Sequence, residues 1–394
     1  MIMQGLFAIF FLCFVAFSQA KPIFNVLKYG ASGDGHTDDS HAFEKAWRDV
    51  CKAKKGNPTL LVPKGRTFML QPMVFQGPCK SSSINFKIRG IISAPKELKG
   101  WRWRSSERGA WIQFMYIDGF VVKGGGALNG QGAPWWDCFQ KFRCQRPRAV
   151  SFHACEHLKL RRVKLVNSPG GHISLNGCNG SIVSNIHLVA PDESPNTDGL
   201  GISGSSHVKV RNSIMEVGDD CITINGGSNM NISGIFCGPG HGISIGSLGK
   251  GGTYGAVEEI HVRNCTFTRT SNGARIKTWE GGFGYVRKII FEDIILKDVQ
   301  YPVLINQYYT AFAATGGNKK AIKISDITYR NFRGTSYFEE AIKLMCDNVV
   351  GCTNLVLDNI KITSSNPKMK TRSSCSNAHG KSSASNIPQV SCLK

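Results

Sequence analysis

Residues 194–242 read SPNTDGLGISGSSHVKVRNSIMEVGDDCITINGGSNMNISGIFCGPGHG and repeat polar motifs at a regular spacing. Asp198 lies in SPNTDG, Asp219 and Asp220 lie in GDDC, and His241 lies in GHG, so the motifs recur about every 21 residues. If one turn of a coil of strands takes this many residues, the motifs stack on neighbouring strands about 4.8 Å apart. The spacing therefore predicts a solenoid that gathers four polar side chains into one patch.

The repeat continues on both sides of this stretch. From about residue 60 onward, short β-branched runs alternate with Gly, Asn, Asp and Ser, at spacings of roughly 23 to 30 residues, which is the period of a solenoid. In HVKVR (207–211), Val208 and Val210 point inward and the basic residues outward. A β-sandwich is the alternative, with turn signals every 8 to 12 residues. We prefer an all-β parallel β-helix, because whole motifs recur at the long period. The runs are 158–166, 182–189, 208–215, 230–236, 260–267, 286–295, 322–329 and 355–362.

The N-terminal part of the mature chain predicts a strand over 24–29 and then a short helix. Thr37, Asp38 and Asp39 supply a cap for this helix. An apolar face follows, and we expect the helix to cap the open end of the coil. The residues of this face are Ala42, Phe43, Ala46, Trp47 and Val50.

The first twenty residues are apolar and uncharged and end in Ser18-Gln19-Ala20, a small-x-small cleavage pattern. This pattern predicts a signal peptide over 1–20, with a retained anchor as the alternative. For the rest of the chain we expect one β-helix domain over 21–394, whose Ser-rich end, 364–394, is a tail held by a disulfide. The formal net charge is +21. In a secreted chain this charge indicates an anionic extracellular polymer as partner, with neither nucleic acid nor membrane. We expect a monomer outside the cell, in the cell wall.

Secretion makes disulfides the default for the thirteen cysteines that follow residue 20. At least one thiol must remain unpaired. No pair has zinc-finger spacing with partner histidines, so we expect neither a metal site nor a cofactor. The short-range candidate pairs are Cys138/Cys144, Cys221/Cys237, Cys346/Cys352 and Cys375/Cys392, and the candidate glycan acceptors are Asn179, Asn231 and Asn264.

Three clustered carboxylates and an imidazole suit acid/base chemistry. Keeping all three carboxylates ionised would cost free energy, because like charges repel. The pKa of at least one should therefore rise, so that a protonated acid stands beside an ionised base. Inverting glycoside hydrolysis needs such a pair, roughly 6.5 to 9.5 Å apart. Arg275 and Lys277 follow at i and i+2 on a predicted strand and share a face. A paired cationic face beside paired acids suits a substrate that carries its own carboxylate.

The blocks SPNTDG, GDDC, GHGISIGSLG and RIKTW resemble the four signature blocks of the polygalacturonases, the pectin-degrading glycoside hydrolases of family 28, in a plant-like form. GDGHTDD, GQGAPWW and the C-terminal cysteines extend the resemblance over nearly all of the mature chain. It implies a right-handed parallel β-helix and inverting hydrolysis of α-1,4-linked galacturonate in de-esterified pectin. It also implies Asp219 as general acid, Asp198 and Asp220 as the pair that activates water, and His241 as support for the acid. The implied substrate contacts are Asn196, Arg275, Lys277 and Tyr309.

The family pattern Asp-Gln-Asn-Tyr-Cys departs here to Asn306-Gln307-Tyr308-Tyr309-Thr310, which leaves open which tyrosine is equivalent. We expect endo action, with exo action as the alternative. Two other functions share this architecture. A pectate-lyase-like eliminase would use the aspartates to hold calcium and Arg275 to abstract a proton, and a non-catalytic β-helix would only bind pectin.

Overall fold

The computed structural model describes residues 22–54, 56–103, 108–309 and 321–393. The predicted signal peptide, 1–20, lies outside the described residues. Within them, no helix has both the length and the apolar character needed to cross a membrane.

The described strands form two parallel sheets that coil together as a right-handed parallel β-helix, which confirms the predicted fold class. The 19-stranded sheet contains β1 (Ile23–Asn25), β2 (Asp34–Asp38), β3 (Thr59–Val62), β4 (Thr67–Met69), β6 (Ile84–Ile88), β7 (Ile91–Ser93), β9 (Phe120–Lys123), β10 (Ala127–Asn129), β12 (Lys159–Arg161), β13 (Lys164–Val166), β15 (Ile182–Ser184), β16 (His187–Val189), β18 (Ser205–Glu216), β20 (Gly227–Cys237), β22 (Tyr254–Thr268), β24 (Phe283–Val299), β26 (Lys323–Ser336), β28 (Cys352–Ser364) and β30 (Ala378–Ser382). The 11-stranded sheet contains β5 (Met73–Gln76), β8 (Ala110–Met115), β11 (Arg148–His153), β14 (Ile173–Asn176), β17 (Leu200–Ser203), β19 (Ile222–Ile224), β21 (Ile243–Leu248), β23 (Asn272–Thr278), β25 (Tyr301–Asn306), β27 (Glu340–Met345) and β29 (Arg372–Ser376).

The 19-stranded sheet supplies two of the three faces of the coil, because it bends along a column of residues in the left-handed conformation. Asn185 (φ 52°) separates β15 from β16, and Asn212 (φ 49°) occupies the equivalent place inside the longer β18. Asn and Asp tolerate this conformation better than other residues with side chains. The predicted runs all lie in this sheet, and the Asn or Asp in the middle of several of them marks the bend. Further members of the column are Arg162, Gly234, Asn264, Asp293, Asn331 and Asn359.

The 11-stranded sheet is the third face, and its outer surface is polar along one column. Ser174 pairs with Gly201, which pairs with Thr223, and the column continues through Ser244 to Arg275. The alternate positions point inward as a column of apolar side chains, since side chains alternate between faces along a strand. This sheet therefore has a polar outer floor over an apolar core.

The core is stacked from coil to coil. Phe75, Phe114 and Phe152 occupy equivalent positions on β5, β8 and β11, and their ring centroids lie 5.1 and 5.2 Å apart. Helix α1 (Ser40–Lys52) covers the N-terminal end of this stack, where Trp47 packs edge-on against Phe75 at 5.3 Å. The predicted capping helix and its apolar face are confirmed. The predicted strand over 24–29 is wrong in its last four residues, because Val26–Tyr29 is a 3-10 helix that ends at Gly30 (φ 94°).

The remaining helical segments are short. Helix α2 (Ala133–Phe142) follows β10, where the backbone N–H of Gly132 donates to the carbonyl of Asn167 just after β13. Two further 3-10 turns cover Leu98–Gly100 and Lys250–Gly252. Helix α2 ends at Arg143, which adopts the left-handed conformation (φ 54°) and returns the chain toward β11. This return segment, residues 143–148, forms one wall of the groove described below.

All four predicted disulfides form. They join Cys138 to Cys144, Cys221 to Cys237, Cys346 to Cys352 and Cys375 to Cys392. A fifth bond, Cys51–Cys79, joins the end of α1 to the loop after β5 and was not predicted. Within the described residues three buried thiols are free, at Cys155, Cys178 and Cys265. The C-terminal segment also adds β29 and β30 to the two sheets, so it continues the coil as well as being stapled.

Candidate active site

The three polar motifs reach one edge of the 11-stranded sheet. Asp198 lies two residues before β17, Asp220 two residues before β19, and His241 two residues before β21. These three strands are consecutive neighbours in the sheet. The structure therefore brings together the side chains that the spacing predicts to meet.

Asp219 and Asp220 both face this edge because the chain bends before β19 begins. Strict alternation applies within a strand, and both residues precede it. Gly218 is required here by close approach, since its φ is not positive and a Cβ at this position would lie 2.2 Å from the carbonyl oxygen of Ser194. The bend is therefore fixed by packing against the preceding coil.

The turn SPNT that precedes Asp198 holds this contact in place. The hydroxyl groups of Ser194 and Thr197 are buried and lie 2.7 Å apart. Thr197 Oγ1 accepts a hydrogen bond from the backbone N–H of Gly218 at 3.0 Å. Each motif of the repeat thus supports the next one along the coil.

The carboxylate of Asp219 has a partner on each oxygen. Oδ1 lies 2.9 Å from Nδ1 of His241 and accepts a hydrogen bond from the backbone N–H of Asp220 at 2.8 Å. Oδ2 accepts a hydrogen bond from the side-chain amide of Asn196 at 3.0 Å. Burial alone would raise the pKa of Asp219, but the bonds from His241 and Asp220 and the charges of His241 and Lys277 outweigh it and lower the pKa to about 2.

Asp220 is buried and compensated by two cations. Arg275 donates from Nη2 to Oδ1, and Lys277 donates from Nζ to Oδ2 at 2.7 Å. Ser244 donates to Oδ1 at 2.8 Å and accepts from Nε of Arg275 at 2.8 Å. Arg275 and Lys277 share a face, as predicted, but each already has a carboxylate partner within the protein.

Asp198 is the carboxyl group whose ionised form is least favoured. Burial raises its pKa well above the ordinary value, and the negative charges of Asp219 and Asp220 raise it further. The charges of Lys277 and Arg148 oppose this shift without cancelling it. The proton affinities of Asp198 and Asp219 therefore differ, and in the free protein the proton is held by Asp198 and not by Asp219.

Asp219, Asp220 and His241 also place one potential ligand atom each within 4.8 Å of one another, close enough to reach a single metal ion. The donor set does not favour one, because both oxygens of Asp220 already accept hydrogen bonds from cationic groups. A divalent cation would have to displace Lys277 or Arg275 from a buried carboxylate. We read the cluster as an ion-pair network.

The two tyrosines that sequence reasoning could not separate have different surroundings. The Nζ atom of Lys277 lies 5.2 Å from the ring centroid of Tyr309, which also packs edge-on against Trp279 at 5.6 Å. The hydroxyl of Tyr308 points away from the cluster and donates to the carbonyl of Cys346 at 3.4 Å. Tyr309 is therefore the tyrosine at the cationic end of the site.

A groove runs from Asp198 toward the N-terminal coils, and its arginines were missed by sequence reasoning. Arg146 donates to the side-chain carbonyl of Asn196 at 2.7 Å, and its guanidinium lies 3.8 Å from the ring centroid of Phe139. Asn196 therefore links Arg146 to Asp219. The sequence feature that could have indicated them is the arginine-rich segment that follows Cys144. Its position above the sheet depends on helix α2 and on the disulfide Cys138–Cys144. The groove is lined by Phe139, Arg143, Gln145, Arg146, Arg148, Gly170, Gly171, Ser174, Asn196, Asp198, Gly201, Ser203, Thr223 and Asn225.

The fold is a right-handed parallel β-helix, and its polar sheet carries an aspartate cluster, a histidine, and an arginine and a lysine that are both paired with Asp220. This combination is the arrangement of a polysaccharide-acting glycoside hydrolase. The family model of the glycosyl hydrolases family 28 matches residues 51–386. The chain belongs to this family, the polygalacturonase family, as its signature blocks predicted.

Curated relatives agree over nearly the whole chain. A probable polygalacturonase of Arabidopsis thaliana is 42% identical and covers 98% of this chain and 84% of that protein. A polygalacturonase of Persea americana is 40% identical and covers 89% of this chain and 75% of that protein. Among solved structures, an endo-xylogalacturonan hydrolase from Aspergillus tubingensis has the same fold, with a TM-score of 0.81 at 24% identity, over 93% of this chain and 100% of that chain.

Proposed function

We propose that this protein hydrolyses α-1,4-galacturonosyl linkages of de-esterified pectin with inversion of the anomeric centre. The observation that carries the proposal is the clustering of three carboxyl groups with an imidazole and two cations at one edge of the sheet. Asp219 is hydrogen-bonded to an imidazole, Asp198 has a raised pKa, and buried Asp220 holds two cations beside them. Inverting hydrolysis requires a proton donor and an ionised carboxylate that activates water.

In the proposed mechanism Asp219 protonates the leaving oxygen. In the free protein its pKa is low, so the proton must reach Asp219 when substrate binds, and Nδ1 of His241 at 2.9 Å is placed to supply it. Asp198, together with Asp220, accepts the proton of the attacking water. Because the pKa of Asp198 is raised, this base is strong enough to take that proton once it is ionised.

Arg275, Lys277 and Tyr309 form the substrate side of the proposal. Galacturonate carries a carboxylate, which a guanidinium binds through two parallel hydrogen bonds and an ammonium binds as a point charge. Lys277 lies between Asp220 and the Tyr309 ring, so a sugar that stacks on the ring brings its carboxylate to this ammonium. We propose that Asn196 contacts substrate as well as Asp219.

We further propose endo action by a secreted monomer of the cell wall, made with residues 1–20 as a signal peptide and 21–394 as one domain. The groove supports endo action, because its lining extends over four neighbouring strands, from Arg148 on β11 to Thr223 on β19, and includes the strands that follow Asp198 and Asp220. A polymer chain can therefore continue past the cluster across several coils. The net charge of +21 supports an acidic polymer as partner.

The test is product analysis of purified protein on de-esterified polygalacturonate with EDTA present, beside an Asp219→Asn variant. We expect saturated reducing ends of several lengths from the wild type and none from the variant. If galacturonate monomer were the only product, the protein would act from the chain end (exo action) and not within the polymer (endo action). An unsaturated product that absorbs ultraviolet light and requires added calcium would replace hydrolysis by elimination, and binding without any product would indicate a non-catalytic β-helix.

A further inference from the structure

The groove contains a hollow on the N-terminal side of Asp198, above Gly171. A Cβ at Gly171 would lie 3.7 Å from Cγ of Arg148 and 3.8 Å from Cβ of Asp198. Gly171 thus lies between these two residues, and because it has no side chain the space between them stays open. Arg148 and Asp198 are two strand steps apart, which is about 10 Å.

The cation at the far side of this hollow is Arg148, whose side chain is free of hydrogen bonds to the residues that the structure describes. Arg148 is exposed at the start of β11, and no residue in the described ranges donates to, accepts from or forms an ion pair with its guanidinium. Arg275 and Lys277, by contrast, are 8% and 6% exposed and each is bound to Asp220. Within the described residues, Arg148 is therefore more available to a ligand than Arg275 or Lys277.

A second exposed guanidinium and two polar side chains border the same space. Arg143 follows helix α2 and lies above its Phe139 ring at 5.2 Å, and Gln145 is exposed beside it. The disulfide Cys138–Cys144 ties this segment to α2, so the wall that carries Arg143 is held at a fixed place. Ser174 completes the floor.

The chemistry of this hollow selects an anion. A guanidinium offers a planar pair of N–H donors that matches a carboxylate, and the guanidinium remains positively charged at every working pH. A neutral sugar would meet the same donors without charge complementarity. The positive charge of Arg148 also acts on Asp198, which shows that the hollow and the reacting carboxyl group are within electrostatic reach of each other.

We propose that Arg148, with Arg143 beside it, forms a second carboxylate-binding subsite above Gly171, which binds a galacturonate unit of the polymer on the side of the aspartate cluster opposite Arg275 and Lys277. The proposal rests on the proposed function for its substrate class. It makes the site require free carboxylates on both sides of the cleaved bond. Arg148 is then a specificity-determining residue for blocks of de-esterified units.

Equilibrium binding tests the subsite without any turnover. In an Asp219→Asn background, calorimetric titration with an oligogalacturonate long enough to fill both sides of the cluster measures Kd at two salt concentrations. We expect Arg148→Gln to raise Kd about tenfold and to reduce its dependence on salt, since one charge-assisted contact is lost. The matched control is Arg161→Gln, an exposed arginine on β12 of the other sheet, which should change neither quantity.

Two substitutions at Gly171 separate filling of the hollow from damage to the coil. Gly171→Ala places a methyl group at ordinary contact distances and should leave Kd within about twofold. Gly171→Leu fills the hollow and should raise Kd as Arg148→Gln does, with unchanged circular dichroism. A methyl-esterified oligomer should bind the wild type and Arg148→Gln with similar Kd.

The outcomes distinguish the subsite from the proposed function. If Arg148→Gln and Gly171→Leu both keep the wild-type Kd, the subsite proposal is overturned, whatever the activity. If the wild type fails to hydrolyse polygalacturonate but the Kd pattern follows the expectation, the subsite stands and the hydrolytic function is wrong. If Arg148→Gln lost affinity equally for the free and the esterified oligomer, the subsite proposal would also be overturned, because the contact would not then involve a carboxylate.

Discussion

Nδ1 of His241 lies 2.9 Å from Oδ1 of Asp219, although the two residues are 22 positions apart in the sequence. One turn of the coil brings them together, and the backbone N–H of His241 also donates to the carbonyl of Asp219 at 2.8 Å. The proposed proton donor and the imidazole proposed to support it therefore share two hydrogen bonds across neighbouring coils. This relationship carries the proposed acid chemistry.

The first prediction concerns this imidazole. His241→Ala should lower kcat about 100-fold and leave KM within about threefold, because it removes the group that protonates Asp219 without removing a contact to the polymer. Steady-state kinetics on de-esterified polygalacturonate measure both constants. The control is His187→Ala, which removes a histidine paired with Glu216 at 2.7 Å on the other sheet. A large rise in KM with kcat unchanged would make His241 a binding residue instead.

The second prediction concerns pH. In the proposed mechanism Asp198 acts as a base only when ionised, and its pKa is raised by burial and by the charges of Asp219 and Asp220. The acid limb of kcat/KM should therefore lie above the ordinary aspartate value of about 3.9, with activity lost as the pH falls through the raised pKa. Arg148→Gln should move this limb to higher pH, since the charge of Arg148 lowers the pKa of Asp198. A limb at or below pH 4 in the wild type would remove Asp198 as the base.

The third prediction concerns Gly218. A Cβ there would lie 2.2 Å from the carbonyl oxygen of Ser194, so Gly218→Ala must displace either the SPNT turn or the aspartates that follow. We expect a stability loss of about 1 to 3 kcal/mol, as for overpacked sites, and a fall in kcat. Gly109→Ala is the control, because nothing lies within 4 Å of a Cβ at that position. Denaturant unfolding measures the stability of both variants. Equal losses of stability in Gly218→Ala and Gly109→Ala would contradict the conclusion that close packing fixes the bend at Gly218.

The fourth prediction concerns the buried ion pairs of Asp220. Lys277→Gln should cost roughly 3 to 5 kcal/mol of unfolding free energy, since it leaves a buried carboxylate without one of its cations. Lys288→Gln removes an exposed pair with Glu259 and should cost less than about 1 kcal/mol.

A double variant isolates the pairing itself. Asp220→Asn combined with Lys277→Gln should cost clearly less than the two single changes added together, with a coupling of about 1 kcal/mol or more in denaturant unfolding. Additive costs would show that Lys277 is not held by Asp220 in solution.

The sequence predicts the coil and the acid cluster because both follow from periodicity. Asp198, Asp219 and His241 recur at the length of one coil, so their meeting depends only on the repeat. The predicted runs all lie in the 19-stranded sheet, whose strands are long in the later coils. The strands of the site sheet are short, and β19 has only three residues, so the pattern of alternation there was too brief to detect.

Contacts that depend on irregular segments could not be predicted. Arg146 and Arg148 reach the groove only because helix α2 ends at Arg143 and a disulfide returns the chain to β11. The pairing of Asp220 with Arg275 and Lys277 requires the strand register, in which Ser244 lies level with Arg275. Sequence spacing placed these cations near the acids but gave no reason to expect a direct bond.

The measurement that tests the central claim most directly is the anomeric configuration of the first product. Proton NMR of the wild type with de-esterified polygalacturonate, at times short compared with mutarotation, shows which anomer is released. Because α linkages are cleaved by a water activated opposite the leaving group, the account predicts the β anomer first, followed by slow conversion to the equilibrium mixture. Initial release of the α anomer would contradict it, since retention requires a nucleophilic carboxylate and a covalent intermediate in place of the proposed acid/base pair.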